Sequence, residues 1–143
     1  MVEAKILLVD DEPEFTRVLS ERIQSRGVDV DTAASGREAL EKVKDHNYDA
    51  IVLDLSMPEM DGLETLRRLV ADHPDLQVIL LTAHGTLQKG IEAIKLGALD
   101  FLEKPAEIQR LLDKIRQAQA NKMLLVEKEI EEKIKGILET KGW

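Results

Sequence analysis

Three neighbouring carboxylates, Asp10, Asp11 and Glu12, stand directly after a five-residue, mostly apolar run, and a fourth, Asp54, follows another apolar run. Carboxylates gathered in one crevice repel each other, and a cation relieves that repulsion. All-oxygen donors suit Mg2+, which takes only one or two carboxylates, keeps several waters and accepts phosphate oxygens. Asp54, emerging from an apolar strand, is placed to attack phosphorus and form an acyl phosphate. Mg2+ and the ammonium of Lys104 would offset charge on the equatorial oxygens, so positioning supplies most of the catalysis. Thr82 and Lys104 close two further short segments of strand character. This chemistry works only if all of these residues meet at one rim of the fold.

The apolar period supplies the elements that could bring them there, switching between strand and helix five times. Lys5-Ile6-Leu7-Leu8-Val9 is almost wholly apolar, as in a strand buried on both faces. A helix is predicted from Pro13 to about Arg26, with Phe15, Val18, Leu19 and Ile23 on one face and Gly27 as its stop. Val28 to Ala33 predicts a strand whose Asp29 and Asp31 alternate outward, the pattern of a sheet edge. Ser35-Gly36-Arg37-Glu38 is a capping box opening a second helix with Ala39, Leu40 and Val43 inward. Ala50 to Leu53 is the third strand, and Asp61-Gly62-Leu63-Glu64 opens a third helix lined by Leu63, Leu66, Leu69 and Val70. After the fourth strand, Val78 to Leu81, Thr86 caps a helix carrying Leu87, Ile91 and Ile94, which Gly97 ends. Asp100-Phe101-Leu102 marks a short fifth strand, and the fifth helix begins near Ala106 with Ile108, Leu111, Leu112 and Ile115.

Five strand-helix units joined by short loops predict an α/β fold, a doubly wound five-stranded parallel sheet with helices on both faces and an extended C-terminal helix. Five units are too few for an eight-stranded barrel. The flavodoxin-like order 2-1-3-4-5 puts the Val28 strand at an edge. It also puts the ligand site beyond the C-terminal strand ends, at the switch point between the first and third strands. Asp10, Asp11, Glu12, Asp54, Thr82 and Lys104 are all expected at that rim.

At 143 residues and 43% hydrophobic, the chain can bury one sizeable core but not two ordinary domains. We expect one domain over residues 1–118 and a helical extension over residues 119–143. The absence of cysteine excludes a disulfide framework, a thiolate metal site and a Cys nucleophile, and fits a reducing, cytoplasmic setting. No apolar run approaches the roughly 18 residues of a membrane span, and neither a signal peptide nor an anchor is expected. A net charge of −8 has the wrong sign for neutralising a phosphate backbone, so direct nucleic-acid binding is not expected. His46, His73 and His84 share no ligand spacing and are expected at the surface.

The order and spacing of four motifs carry more weight than any one of them. They are Leu7-Leu8-Val9-Asp10-Asp11-Glu12, Asp54-Leu55-Ser56-Met57-Pro58-Glu59-Met60-Asp61-Gly62, Leu81-Thr82-Ala83 and Asp100-Phe101-Leu102-Glu103-Lys104-Pro105. Over about residues 4 to 118 the sequence resembles the response-regulator receiver family of two-component signalling. Thr82-Ala83-His84-Gly85-Thr86, with Gly97-Ala98-Leu99 leading into the last motif, is most similar to receivers of the nitrogen-regulation type. Those receivers are usually fused to an ATPase and a DNA-binding domain, and neither is expected here. The resemblance implies that Asp54 is phosphorylated from the phosphohistidine of a sensor histidine kinase or phosphotransfer protein. It implies that Asp11, Asp54 and the backbone carbonyl of Ser56 bind Mg2+, with Asp10 assisting through water, and that Thr82 and Lys104 contact the phosphoryl group. It further implies a switch in which the Thr82 hydroxyl swings toward the phosphoryl group and the Phe101 ring fills the vacated space. Phe101 lacks the hydroxyl of the commoner tyrosine, so its coupling would be steric. The implied output surface is the fourth helix, fifth strand and fifth helix. Ser56 and His84 fall where acyl-phosphate lifetime is tuned, and Lys104-Pro105 where the peptide bond is cis.

Each residue also has a plainer reading. Asp11 with Glu14 fits a helix N-cap, Thr82 a strand-end hydroxyl satisfying a turn, Lys104 a solvated lysine and Phe101 simple core. Independent structural needs would not set these four and Asp54 at one rim. The leading expectation is therefore a phosphorylation-controlled interaction module, not an enzyme, acting on a protein target that the sequence does not name. One alternative is the receiver portion of a DNA-binding transcription regulator, disfavoured because residues 121 to 143 balance five lysines against five glutamates and hold no helix-turn-helix unit. The other is an aspartyl-phosphate phosphatase, which normally carries a second acid two residues on, where Ser56 stands.

From Gln117 onward there is no proline, and no glycine before Gly136, so the last helix should continue. Met123, Val126, Ile130, Ile134 and Ile137 recur at intervals of three and four, flanked by Glu127, Lys128, Glu131, Glu132, Lys133 and Lys135. A helix from about residue 106 to 139 would be about 50 Å long and would project from the domain. Its stripe needs a partner, and a homodimer through this helix and the neighbouring output face is expected. The alternatives are folding back over its own domain and fraying as a linker stub.

Overall fold

The computed structural model describes residues 3–55, 62–83 and 87–140. Among them, five strands, β1 (Lys5–Val9), β2 (Asp29–Ala33), β3 (Ala50–Asp54), β4 (Val78–Thr82) and β5 (Asp100–Glu103), alternate with five helices. The helices are α1 (Pro13–Gln24), α2 (Gly36–Asp45), α3 (Gly62–Asp72), α4 (Leu87–Leu96) and α5 (Ile108–Thr140). The sheet is parallel throughout and ordered β2-β1-β3-β4-β5, the doubly wound arrangement that the alternation of periods predicts. Val9 pairs with Ala33 on one side and with Leu53 on the other. Asp10 and Asp54 therefore follow directly on paired rungs and leave the sheet side by side.

Side chains of a strand alternate between faces, and β1 divides its apolar residues accordingly. Leu7 and Val9 join Ile51, Leu53, Leu66, Leu69 and Leu80 under α2, α3 and α4, whereas Ile6 and Leu8 join Val52, Ile79 and Leu81 under α1 and α5. Ser35 caps α2, its hydroxyl accepting from the Glu38 amide at 3.1 Å. Gly97 ends α4 at φ 113°, with Ala98 N–H bonded to Ala93 O at 3.0 Å. The caps expected at Asp61 and Thr86 lie outside the described residues.

Two helices bury different residues from those their apolar pattern predicts. In α1, Leu19 and Ile23 are buried and Phe15 is half-buried, but Val18 is exposed. In α4 the inward residues are Gly90 and Ala93, and Ile91 and Ile94 are 44% and 47% exposed. The Phe101 ring takes the volume beneath α4, since a Cβ on Gly90 would stand 3.4 Å from it.

The last helix is continuous over 33 residues. Leu111, Leu112, Ile115, Ala118 and Lys122 are its buried residues, and every residue from Met123 to Thr140 is exposed. The Lys122 ammonium donates to Asn47 Oδ1 and to the Tyr48 carbonyl, at the rim of the sheet opposite Asp54. Beside it, Asn121 Nδ2 donates to Gln77 Oε1 at 3.3 Å. Among the described residues no helix is long and apolar enough to cross a membrane.

Candidate functional site

The carboxyl ends of β1, β3 and β4 deliver Asp10, Asp54 and Thr82 into buried positions. Lys104 arrives from just past β5, where its own N–H donates to the Thr82 carbonyl at 2.7 Å and docks that segment onto β4. Its side chain is only 10% exposed. The ammonium lies 2.7 Å from Asp10 Oδ2, 3.9 Å from Asp54 Oδ1 and 4.0 Å from Glu12 Oε1. A buried cation requires compensation of this kind, because desolvation without a partner is costly. The Phe15 ring supplies more: the ammonium sits 4.1 Å from its centroid, within cation–π range. The Lys104-Pro105 peptide bond is cis.

The second oxygen of Asp10 accepts from the Glu12 N–H at 3.0 Å, which fixes the chain as it turns into α1. Glu12 is the N-cap residue of that helix, without a side-chain cap, and Pro13 follows in its first turn. Asp11 is not the N-cap; it is exposed at the mouth of the pocket. Asp10, Asp11 and Glu12 each offer a carboxylate oxygen within 4.8 Å of the others, a hard-donor set that suits a divalent cation.

The floor of the pocket is set by backbone. Leu55 N–H donates to Leu81 O at 3.1 Å, and Gly62 N–H donates to Leu55 O at 2.7 Å. A Cβ on Gly62 would fall 2.3 Å from Leu55 Cα and 2.6 Å from Asp54 O, so α3 can begin this close only with glycine there.

Phe101 lies one layer away from the ion cluster, half-buried between β5 and Gly90. Next to it, burial pushes the Asp100 carboxyl up, but the Lys114 ammonium at 2.7 Å and the Phe101 N–H at 2.7 Å outweigh it and hold Asp100 below the usual carboxylate range. An apolar cleft lined by Gly90, Ile91, Ile94, Lys95, Asp100 and Phe101 opens on this α4–β5 face.

The structure thus brings together Asp10, Asp54, Thr82 and Lys104, with Asp11 and Glu12 at the mouth and Phe101 behind. Ser56 and His84 lie outside the described residues, His46 is exposed and His73 half-buried. Sequence reasoning missed the Phe15 contact with Lys104 and the structural role of Lys122. The second was signalled, because Leu111, Ile115, Ala118 and Lys122 step by four, three and four along one face.

A doubly wound sheet that sets a buried ammonium between two aspartates at its switch point belongs to the class of α/β proteins whose ligand site lies beyond the carboxyl ends of the strands. A family model described as response regulator receiver domain matches residues 6–116, and the chain belongs to that family. The transcriptional regulatory protein ZraR of Escherichia coli (strain K12) is 37% identical over 116 residues, 81% of this chain and 26% of that protein. The chain spans about a quarter of the length of the curated relatives it matches. Among solved structures, the beryllofluoride-activated NtrC4 receiver domain dimer is 39% identical, with a TM-score of 0.78 over 82% of this chain and 98% of that one. The CheX-CheY-BeF3-Mg+2 complex from Borrelia burgdorferi is 32% identical, with a TM-score of 0.76 over 80% of this chain and 87% of that one.

Proposed function

We propose that Asp54 is the phosphoacceptor of this receiver. An Asp54 carboxylate oxygen attacks the phosphorus of a phosphohistidine on a sensor histidine kinase or phosphotransfer protein. The new O–P bond forms as the P–N bond breaks, and the imidazole nitrogen keeps the electron pair. The observation that carries this reading is the buried Lys104 ammonium, 3.9 Å from Asp54 and paired with Asp10 beside it, at the switch point of the sheet. In that position Lys104 meets the oxygens of a phosphoryl group on Asp54, and Thr82, at the end of the adjacent strand, donates its hydroxyl to the same group.

Asp11, Asp54 and the Ser56 backbone carbonyl would hold Mg2+, with Asp10 reaching it through water; Ser56 itself is outside the described residues. The all-oxygen cluster of Asp10, Asp11 and Glu12 supports such a site. When bound, the ion offsets charge on the transferring oxygens. Movement of Thr82 toward the phosphoryl group would admit the Phe101 ring, and the resulting change in the α4–β5–α5 surface is offered to a downstream protein target. Ser56 and His84 would set how readily water reaches the acyl phosphate. The receiver occupies residues 1–118, to which the packing of Lys122 adds about one turn. The extension over residues 119–143 pairs with a second copy of the chain. A role as the receiver portion of a DNA-binding transcription regulator is favoured by the name and greater length of ZraR.

The test is labelling with acetyl phosphate. Asp54→Asn should abolish incorporation, and chelation of Mg2+ should stop it in the unaltered chain. Labelling of Asp54→Asn at undiminished stoichiometry would place the acceptor elsewhere.

A further inference from the structure

Three carboxylates lie within 4.0 Å of the Lys104 ammonium, but only Asp10 Oδ2, at 2.7 Å, takes it at hydrogen-bond distance. Asp54 Oδ1, the oxygen the ammonium must serve during transfer, stands at 3.9 Å. With the lysine side chain 10% exposed, little water is at hand to complete the shell of the cation. The Phe15 ring faces it instead, with its centroid 4.1 Å from the nitrogen. That ring does not depend on the lysine for its place. It packs against the apolar cluster of Leu8, Leu19, Leu81 and Leu102. The first turn of α1 that carries it is held by the Glu12 N–H on Asp10 Oδ1 at 3.0 Å and by the Thr16 N–H on the Glu12 carbonyl at 3.0 Å. The carboxylate that binds the ammonium and the ring that faces it are thus fixed to one stretch of backbone.

We infer that Phe15 is a positioning residue for phosphoryl transfer: its ring face holds the Lys104 ammonium between Asp10 and Asp54, ready for the oxygens of a phosphoryl group on Asp54. The inference rests on Asp54 as the phosphoacceptor and adds a residue of α1 to that site. An aliphatic side chain in this place would fill the volume and offer the cation nothing. A carboxylate would hold it too well, by taking an N–H that the phosphoryl oxygens need. An aromatic face attracts the cation through its quadrupole but has no lone pair, so an N–H aimed at it passes to a phosphoryl oxygen at little cost. The ammonium is in place before the donor arrives, which leaves less reorganisation for the transfer step. This role depends on the electrons of the ring, whereas a core side chain acts through its shape alone.

Fluorine withdraws electron density from the ring face and changes its shape little, which separates the two roles. Mono-, di- and trifluorinated phenylalanine are placed at Phe15 in the full chain, and labelling by acetyl phosphate is timed at excess Mg2+. The rate should fall stepwise along the series, by about three- to tenfold in all. In Lys104→Met, which keeps the length of the side chain without its charge, the residual rate should stay level along the same series. Phe15→Leu, apolar but not aromatic, should be as slow as the trifluorinated chain. Equal rates in all the fluorinated chains with Lys104 in place would show that Phe15 serves only the core. Equal falls with and without the ammonium would show that the ring acts on something other than Lys104. Either result overturns the inference and leaves Asp54 as the acceptor, whereas undiminished labelling of Asp54→Asn with the natural ring removes both together.

Discussion

Gly62 leaves no space for a side chain where α3 begins against the Asp54 carbonyl. Gly62→Ala puts a methyl within 2.3 Å of Leu55 Cα, and backbone must move to admit it. Overpacking of this kind costs about 1–3 kcal/mol. We expect that loss in urea denaturation, together with slower labelling of Asp54. Wild-type stability in the variant would mean that the start of α3 is less tightly set than the geometry states. The motif containing Gly62 is legible in the sequence, but the reason for the glycine is not, because it depends on how α3 returns over the end of β3. Asp54, Thr82 and Lys104 are legible for a simpler reason: each stands where a strand ends, and doubly wound sheets gather those ends. The contact of Phe15 with Lys104 joins side chains 89 positions apart, one in α1 and one just past β5, so no local pattern could reveal it.

At the level of elements, β5 and α5 are joined by the Asp100–Lys114 ion pair at 2.7 Å, with both side chains about 30% exposed. Asp100 has its folded pKa depressed, so its contribution to stability is fully present above the unfolded value of about 3.9 and is lost as pH falls through the lower folded value. Urea midpoints followed from about pH 7 to about pH 3 should therefore fall more steeply below about pH 4 in the wild type than in Asp100→Asn. Parallel curves would show that the pair adds nothing. On the opposite rim, Lys122→Met leaves Asn47 Oδ1 and the Tyr48 carbonyl without their donor, at a cost of about 1–3 kcal/mol in the same assay. No change there would mean that water replaces the ammonium freely. The sheet and all five helices follow from periodicity, yet the inward face of α4 does not. Isoleucines look buried in a hydrophobicity pattern, whereas Gly90 and Ala93 face in because a ring from β5 already fills that space.

For the whole molecule, packing divides the chain into a body ending at Lys122 and an uncovered helix beyond it. A chain ending at Met123 keeps the bonds of Lys122 and loses the stripe. Light scattering should give it monomeric mass and the full chain dimeric mass; equal masses would remove the extension from the assembly. The body is also where motif order made the family recognisable, because each motif lies at a strand end and its spacing is set by the length of the intervening helix. Past the body, the pattern shows what needs covering and does not name what covers it.

The unbroken run of α5 has a mechanical consequence. Its early turns are tied to β5 by Lys114 and its middle to the rim opposite Asp54 by Lys122, and about 27 Å of rod extends past Lys122. A rod of that reach acts as a pointer: a tilt of about 10° at its root would carry its tip about 5 Å, a displacement that another molecule can sense.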